Sequence, residues 1–410
     1  MPTSAFRAQK TGSFRPATWQ VVGIGLVCLA STPLLAGDPV FRPNDNFTRA
    51  AFEHFYSLDY DSAIAGFEKA LEAHPDDPFA VNHLLTAVLF RELYRIGALN
   101  TGDYTNDNFV NKPQRAADPQ VKQRVRDLIE RARQIEEKRI AANNRDVDAY
   151  YARGVTRGQA ATFLGLIERS WFAALRSALG ARHDHEKVLE LNPQYTDAKF
   201  IVGTHEYVVG SLPWAVKVAA AVIGAGGDKK KGIEQLYAAA NASGETSIDA
   251  KVVLALFLRR ERRFDEALSL VRQLEGRYPH NLLMALEEGN LLRASGKLED
   301  AATAYRRIWQ AGRQGRFPHS HYEVAAISLG DLLRSRKEFR AAAEAYDQVE
   351  GLAAADPDLR QQALLGAGEM HDLLNQRDLA LRKYQACLAV NASNLRAETA
   401  RQRLKQAYRE

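Results

Sequence analysis

GNLLRASGKLEDAATAY, residues 289–305, is the stretch whose reading decides the fold. Gly289 precedes Ala301 by twelve positions, Tyr305 follows Ala301 by four, and Ser295-Gly296-Lys297 reads as a turn between them. That spacing places Gly289 on one helix and Ala301 on the next. Small residues at both positions let the two helices approach closely, where a larger substituent would hold them apart. Tyr305 then lies one turn from Ala301 on the same face and fills the groove.

The phrase recurs along the chain, and a recurrence of this period is the signature of a repeat architecture. Ala63, Phe67, Ala70 and Pro75 fit it, as do Ala267, Val271, Leu274 and Pro279. Ala301, Tyr305 and Ile308 are followed by Ala342, Tyr346 and Val349, and then by Ala380, Tyr384 and Cys387. Gly330 and Gly368 repeat the place of Gly289 ahead of Ala342 and Ala380. The trailing proline is expected to start the following helix. Looser copies fill the centre: Tyr150 and Gly154 on a first helix, then Ala181, His185, Val188 and Pro193 on a second, and Gly203 beyond Asp197-Ala198.

These residues, with the turn phrases Leu58-Asp59-Tyr60-Asp61-Ser62-Ala63, Arg263-Phe264-Asp265-Glu266-Ala267 and Lys337-Glu338-Phe339-Arg340-Ala341-Ala342, resemble the 34-residue tetratricopeptide repeat (TPR). The resemblance implies an all-α, TPR-like α-solenoid of antiparallel helix pairs, wound into a right-handed superhelix with a concave binding face. It divides the chain into an N-terminal repeat unit at 37–96, a loop insertion at 97–118, an irregular helical region at 119–247, a regular array at 248–393 and a capping helix at 394–410. Leu395, Ala400, Leu404 and Ala407 are the expected apolar side of the cap. Within the irregular region, Gly210-Ser211-Leu212-Pro213-Trp214, an apolar helix at 215–223 and a helix at 232–240 are similar to the central part of the TPR family that includes the yeast inclusion-body clearance protein. The apolar helix reads as buried between repeats, with lipid contact by 207–225 as the alternative.

The N-terminus has another character. Arg7, Lys10 and Arg15 precede an uncharged apolar run, Val21 to Ala36, the build of a secretory signal peptide. The expectation is a signal at 1–36 and a periplasmic or cell-envelope location, with an uncleaved anchor as the alternative. Loss of those three cations lowers the formal charge from +5 to +2, which gives no footing for nucleic-acid binding. Arginine-rich 122–139 is interleaved with Asp127, Glu130, Glu136 and Glu137 and reads as a solvated helix face. Of Cys28 and Cys387 only the latter survives processing, so no intrachain disulfide is expected.

Catalytic or metal chemistry finds no constellation. His183-Asp184-His185 would point its imidazoles apart on a helix, and His185 occupies the aromatic slot of the repeat. His319-Ser320-His321 follows Pro318 at a helix start, where Ser320 is placed to cap. Asp103, Asn106, Asp107 and Asn108 lack the glycine and terminal glutamate of a calcium loop. The expectation is therefore no enzyme, no metal and no cofactor. The chain reads as an envelope scaffold that binds a protein or peptide, with a membrane-associated or lipid-handling role as the alternative. The groove candidates are Asn290 and Arg293, Asp331 and Arg334, and Glu369 and Asp372, on the first helices of the later repeats.

Overall fold

Short polar side chains start the helices that the spacing implies. In the computed structural model, which describes residues 39–99, 115–211 and 226–410, Asp45, Asp77, Asp118, Asp146, Asn281, Asp356 and Asn394 each accept a hydrogen bond from a backbone N–H of the following first turn. Pro78, Pro119 and Pro357 occupy first-turn positions, where the missing N–H leaves no bond unmade. The recurring Pro75, Pro193 and Pro279 instead sit in the connections ahead of the helices that begin at Pro78, Ala198 and Leu282, so the expectation that they start helices is corrected. Ser320 does not cap either: Tyr322 takes that position. The expected signal at 1–36 and apolar helix at 215–223, and most of the 97–118 insertion, lie outside the described residues.

Among the described residues the α-helices form eight antiparallel pairs and a terminal helix, with one π-helical turn at Phe163–Ile167. The pairs are α1 (Asn46–Tyr56) with α2 (Tyr60–Ala73), α3 (Pro78–Arg95) with α4 (Pro119–Ala142), α5 (Val147–Thr162) with α6 (Trp171–Leu191), and α7 (Ala198–Gly210) with α8 (Lys229–Ala240). Then come α9 (Ser247–Arg260) with α10 (Phe264–Arg277), α11 (Leu282–Ala294) with α12 (Leu298–Arg313), α13 (Glu323–Ser335) with α14 (Phe339–Glu350), and α15 (Pro357–Leu373) with α16 (Arg377–Val390), closed by α17 (Leu395–Lys405). Five of the pairs turn identically: the second residue past the first helix has positive φ, at Leu58, Arg262, Gly296, Lys337 and Asn375. In each, the next N–H reaches back to a carbonyl of the last helical turn, as Lys297 N does to Leu292 O at 2.9 Å and Glu338 N to Leu333 O at 3.0 Å.

The close approach predicted from the glycines is present. A Cβ on Gly289 would fall 2.5 Å from the Tyr305 ring, one on Gly330 2.6 Å from Tyr346, and one on Gly368 2.5 Å from Tyr384. Gly154 meets His185 in the same manner, at 2.3 Å, so the histidine does fill the aromatic slot. Ala51 and Ala255 hold the equivalent position in the pairs of Ala63 and Ala267, and both are buried. The cap rests on Ala397 and Ala400, whereas Leu395 is 74% exposed.

Two features organise the interior beyond the repeat. The chain curls until the first pair meets the fifth and sixth: Tyr56 packs on Tyr278 with ring centroids 5.1 Å apart, its hydroxyl donates to Asp249 (3.2 Å), and Asn281 Nδ2 donates to Tyr56 O (2.8 Å). Between α3, α4 and α5 lies a buried polar network. Thr156 Oγ1 stands 2.6 Å from Glu136 Oε1 and 2.8 Å from Asn82 Oδ1, while Asn82 Nδ2 donates to Ala152 O at 2.9 Å and so fixes the amide's orientation. Burial pushes the Glu136 pKa up to about 7, and in its protonated form the carboxyl donates to Thr156 and leaves the hydroxyl proton for Asn82 Oδ1.

Candidate functional site

The curl leaves a cleft of about 810 Å3 between the end of α3 and the inner faces of α11, α13 and α15. This lies within the roughly 300–1,000 Å3 range of ligand clefts. Its floor comes from three successive first helices: Leu282, Leu283 and Leu286 from α11, Val324 and Ile327 from α13, and Leu359 from α15. Their sequence positions follow from the repeat, because a first helix packs one side on its partner and turns another inward. Tyr94, Ile96 and Leu99 face them from the end of α3.

Charged groups rim this apolar floor. Arg95 grips Glu92 through two bonds of 2.8 and 2.6 Å, and Glu92 also accepts the Asp118 N–H at 2.7 Å. Burial alone would raise the Glu92 pKa, but these donors outweigh it and hold the carboxyl below its ordinary value. At the other end Arg115, just ahead of α4, bonds to Asp356 (2.7 Å) and Asp358 (2.8 Å) at the start of α15, tying the second repeat to the eighth. His321 lies 3.3 Å from Glu323, whose bond raises the imidazole pKa. Arg91, Arg396, Asp61 and Asp331 complete a rim of both signs.

Two of the six groove candidates, Asn290 and Asp331, line this cleft. Both also accept a hydrogen bond from the aromatic of their own repeat, Tyr305 on Asn290 at 2.8 Å and Tyr346 on Asp331 at 2.5 Å. Arg293 is exposed beyond it. Arg334, Glu369 and Asp372 form a separate group beneath the C-terminal tail. Arg334 donates to Tyr408 Oη (2.7 Å) and to Glu369 (2.8 Å), and the Tyr408 N–H donates to Asp372 (2.8 Å). Arg334 and Arg403 face the Tyr408 ring at 5.1 and 4.6 Å. The contribution of Arg91, Arg95 and Arg115 had no signal in the repeat spacing, since they reach the cleft only through the curl of the chain.

No group of three or more His, Cys, Asp or Glu side chains is placed to hold a metal ion among the described residues. Asp184 is engaged by Arg153 (2.6 Å) and Arg157 (2.7 Å), and His185 Nδ1 bonds to Ala181 O at 2.8 Å. No described helix is long and apolar enough to cross a membrane.

The packing of Gly289 on Tyr305, Gly330 on Tyr346 and Gly368 on Tyr384, with one turn geometry joining the pairs, defines a TPR-type α-solenoid. No protein-family model matches the chain, and no curated protein sequence matches it. Among solved structures it is similar to yeast Tom70, with 13% identity over 88% of this chain and 87% of that one and a TM-score of 0.38. It is similar also to a chain of the APC/C hetero-tetramer Cut9–Hcn1, at 13% identity, 87% of this chain and a TM-score of 0.41; it spans 54% of the length of that chain. The pilF protein of Pseudomonas aeruginosa matches at 17% identity, over 63% of this chain and 99% of its own, with a TM-score of 0.36.

Proposed function

We propose that this protein is a non-catalytic scaffold of the cell envelope that receives a segment of a partner protein in the cleft between α3 and α11–α15. The observation that carries the reading is the cleft's make-up, a leucine, valine and isoleucine floor from three successive repeats with a rim of both charge signs. An apolar face of an entering helix or strand is desolvated on such a floor, and the rim sets its register through charge pairing. The envelope location rests on the basic region and apolar run of residues 7–36. Asn290, Arg293, Asp331, Arg334, Glu369 and Asp372 remain the proposed contact set on the inner helices, the last three once the Tyr408 tail is displaced. Ser328→Trp, which fills the cleft from α13, should abolish partner capture with the melting temperature unchanged; a partner set identical to wild type sinks the assignment.

A second reading has its own observation. Trp171, Phe172 and Leu175 are exposed at the start of α6, Phe172 by 83%, and Val208 is exposed near the end of α7, ahead of the apolar sequence 212–223. Such aromatic and aliphatic groups suit contact with a lipid surface. Full-length protein should then sediment with phosphatidylglycerol vesicles and Phe172→Ser should not; equal sedimentation of both removes this reading.

A further inference from the structure

Residues 39–45, just ahead of α1, enter the inner face of repeats two to five. Three anchors hold them. The Val40 N–H donates to Ser243 O (3.1 Å), the Phe41 ring stacks on Phe52 at 3.8 Å, and the Arg42 guanidinium sits among three rings and two hydrogen-bond acceptors. Its guanidinium lies 4.0 Å from the Phe79 ring centroid, 5.4 Å from that of Tyr151 and 5.3 Å from that of Tyr195. It donates to Asp148 at 2.7 Å and to the Tyr195 hydroxyl. The Arg42 carbonyl accepts from His83 Nε2 at 2.6 Å, and the Glu245 carboxyl stands 3.4 Å from the same nitrogen, against the Arg42 backbone. Glu245 Oε2 is buried there without a hydrogen-bond partner.

His83, Asp148, Tyr195 and Glu245 belong to four successive repeats, at or just ahead of α3, α5, α7 and α9. The walls also hold one another without help from Arg42. Phe79 stacks on Tyr151 at 5.8 Å, Tyr151 packs on Tyr195 at 4.9 Å and on His185 at 5.2 Å, and the Tyr195 hydroxyl bonds to Asp148 at 3.2 Å. A cage braced in this way keeps its shape when the guanidinium leaves, which is what a ligand site needs and a simple chain anchor does not.

The geometry points to a peptide-recognition site that reads an arginine on the inner face of repeats two to five and a preceding aromatic residue on Phe52 of the first repeat, in an extended segment, and that this chain fills in cis with Phe41-Arg42. Its partner is a protein segment carrying that aromatic–arginine pair, which competes with residues 39–45 for the cage. The planar guanidinium suits the site through its aromatic faces and its fork of donors, and lysine does not reproduce them. None of the cage residues lines the α3–α15 cleft, so the two sites stand or fall separately.

The test uses the full chain and a fluorescent peptide of residues 38–46. Folded Arg42→Ala, its cage empty, should bind the peptide in fluorescence polarisation. Wild type, with the cage occupied, should bind at least about tenfold more weakly, because only the open fraction is competent. Replacing the peptide's arginine by lysine should cost about tenfold. No binding to folded Arg42→Ala at about 1 mM peptide overturns the proposal. A measurement on wild type covers the case of a variant that does not fold. The Val40 and Arg42 amides should exchange hydrogen through a local opening, much faster than the Leu254 amide in α9; exchange as slow as Leu254 means that the segment leaves only on global unfolding, and overturns it equally.

Discussion

Gly289→Ala sets two effects of opposite sign against each other. The new methyl carbon would lie 2.5 Å from Tyr305 Cε1, 2.9 Å from Cδ1 and 3.0 Å from Cζ. Tyr305 is fully buried and its hydroxyl is tied to Asn290 at 2.8 Å, so the ring has nowhere to go without giving up that bond. Overpacking costs about 1–3 kcal/mol, and the strained hydrogen bond about 1 kcal/mol more. Against this, alanine is favoured over glycine in a helix by about 1 kcal/mol. The net expectation is a loss of about 2 kcal/mol. Gly276→Ala in α10 is the internal control, because nothing lies within 4 Å of its Cβ position and only the propensity gain remains. Urea denaturation followed by circular dichroism should lower the midpoint for Gly289→Ala and raise it for Gly276→Ala, with unchanged m. Tyr305→Leu in the Gly289→Ala background should recover part of the loss. If both glycine variants gain stability, helix–helix approach at the glycine does not organise the repeat.

Other sites give sharper chemical readouts. Glu136 has a folded pKa of about 7 against an ordinary value near 4.5, raised by burial, so between these values the folded chain keeps a proton that the unfolded chain has lost, and stability falls as pH rises by up to about 3 kcal/mol. Glu136→Gln should therefore unfold at higher urea than wild type at pH 8 and lose that advantage at pH 4; a difference independent of pH contradicts the proton assignment. Lys337 holds φ of 61° in the α13–α14 turn, and Lys337→Gly should raise stability by about 0.5–1 kcal/mol in the same assay, whereas a loss would mean that its side chain matters more than its backbone. Tyr408→Ala removes a ring held between Arg334 and Arg403 and should cost about 1 kcal/mol while speeding proteolysis of the C-terminal tail; unchanged cleavage would show that Tyr408 does not hold the tail down.

The helix pairs were legible because their signal is local. Gly289 and Tyr305 belong to one hairpin, and the contact they predict depends only on its geometry. His185 was legible in the same way, as the occupant of the slot opposite Gly154. The turns were half legible: Gly296 announces its positive φ, but Leu58, Arg262, Lys337 and Asn375 adopt it too, held by the hydrogen bonds at the helix end. The return of Tyr56 onto Tyr278 was not legible, because it is set by small rotations accumulated over four repeats. The cleft depends on that return, so its floor and Asn290 and Asp331 could be anticipated from the repeat, and Arg95 and Arg115 could not. The Arg42 cage was missed for the same reason, its walls being contributed by turns and helices far apart in the chain.

The most direct test of the scaffold reading is site-specific photo-crosslinking in the cells that make the protein. A photoreactive amino acid at Ser328, on the cleft, is compared with one at Gln273, on the α10 face away from it. The account predicts that Ser328 captures a defined partner segment, that Gln273 does not, and that Leu283→Asp on the cleft floor removes the capture while the protein stays folded. Equal capture from both positions, or capture that survives Leu283→Asp, contradicts a cleft that binds protein.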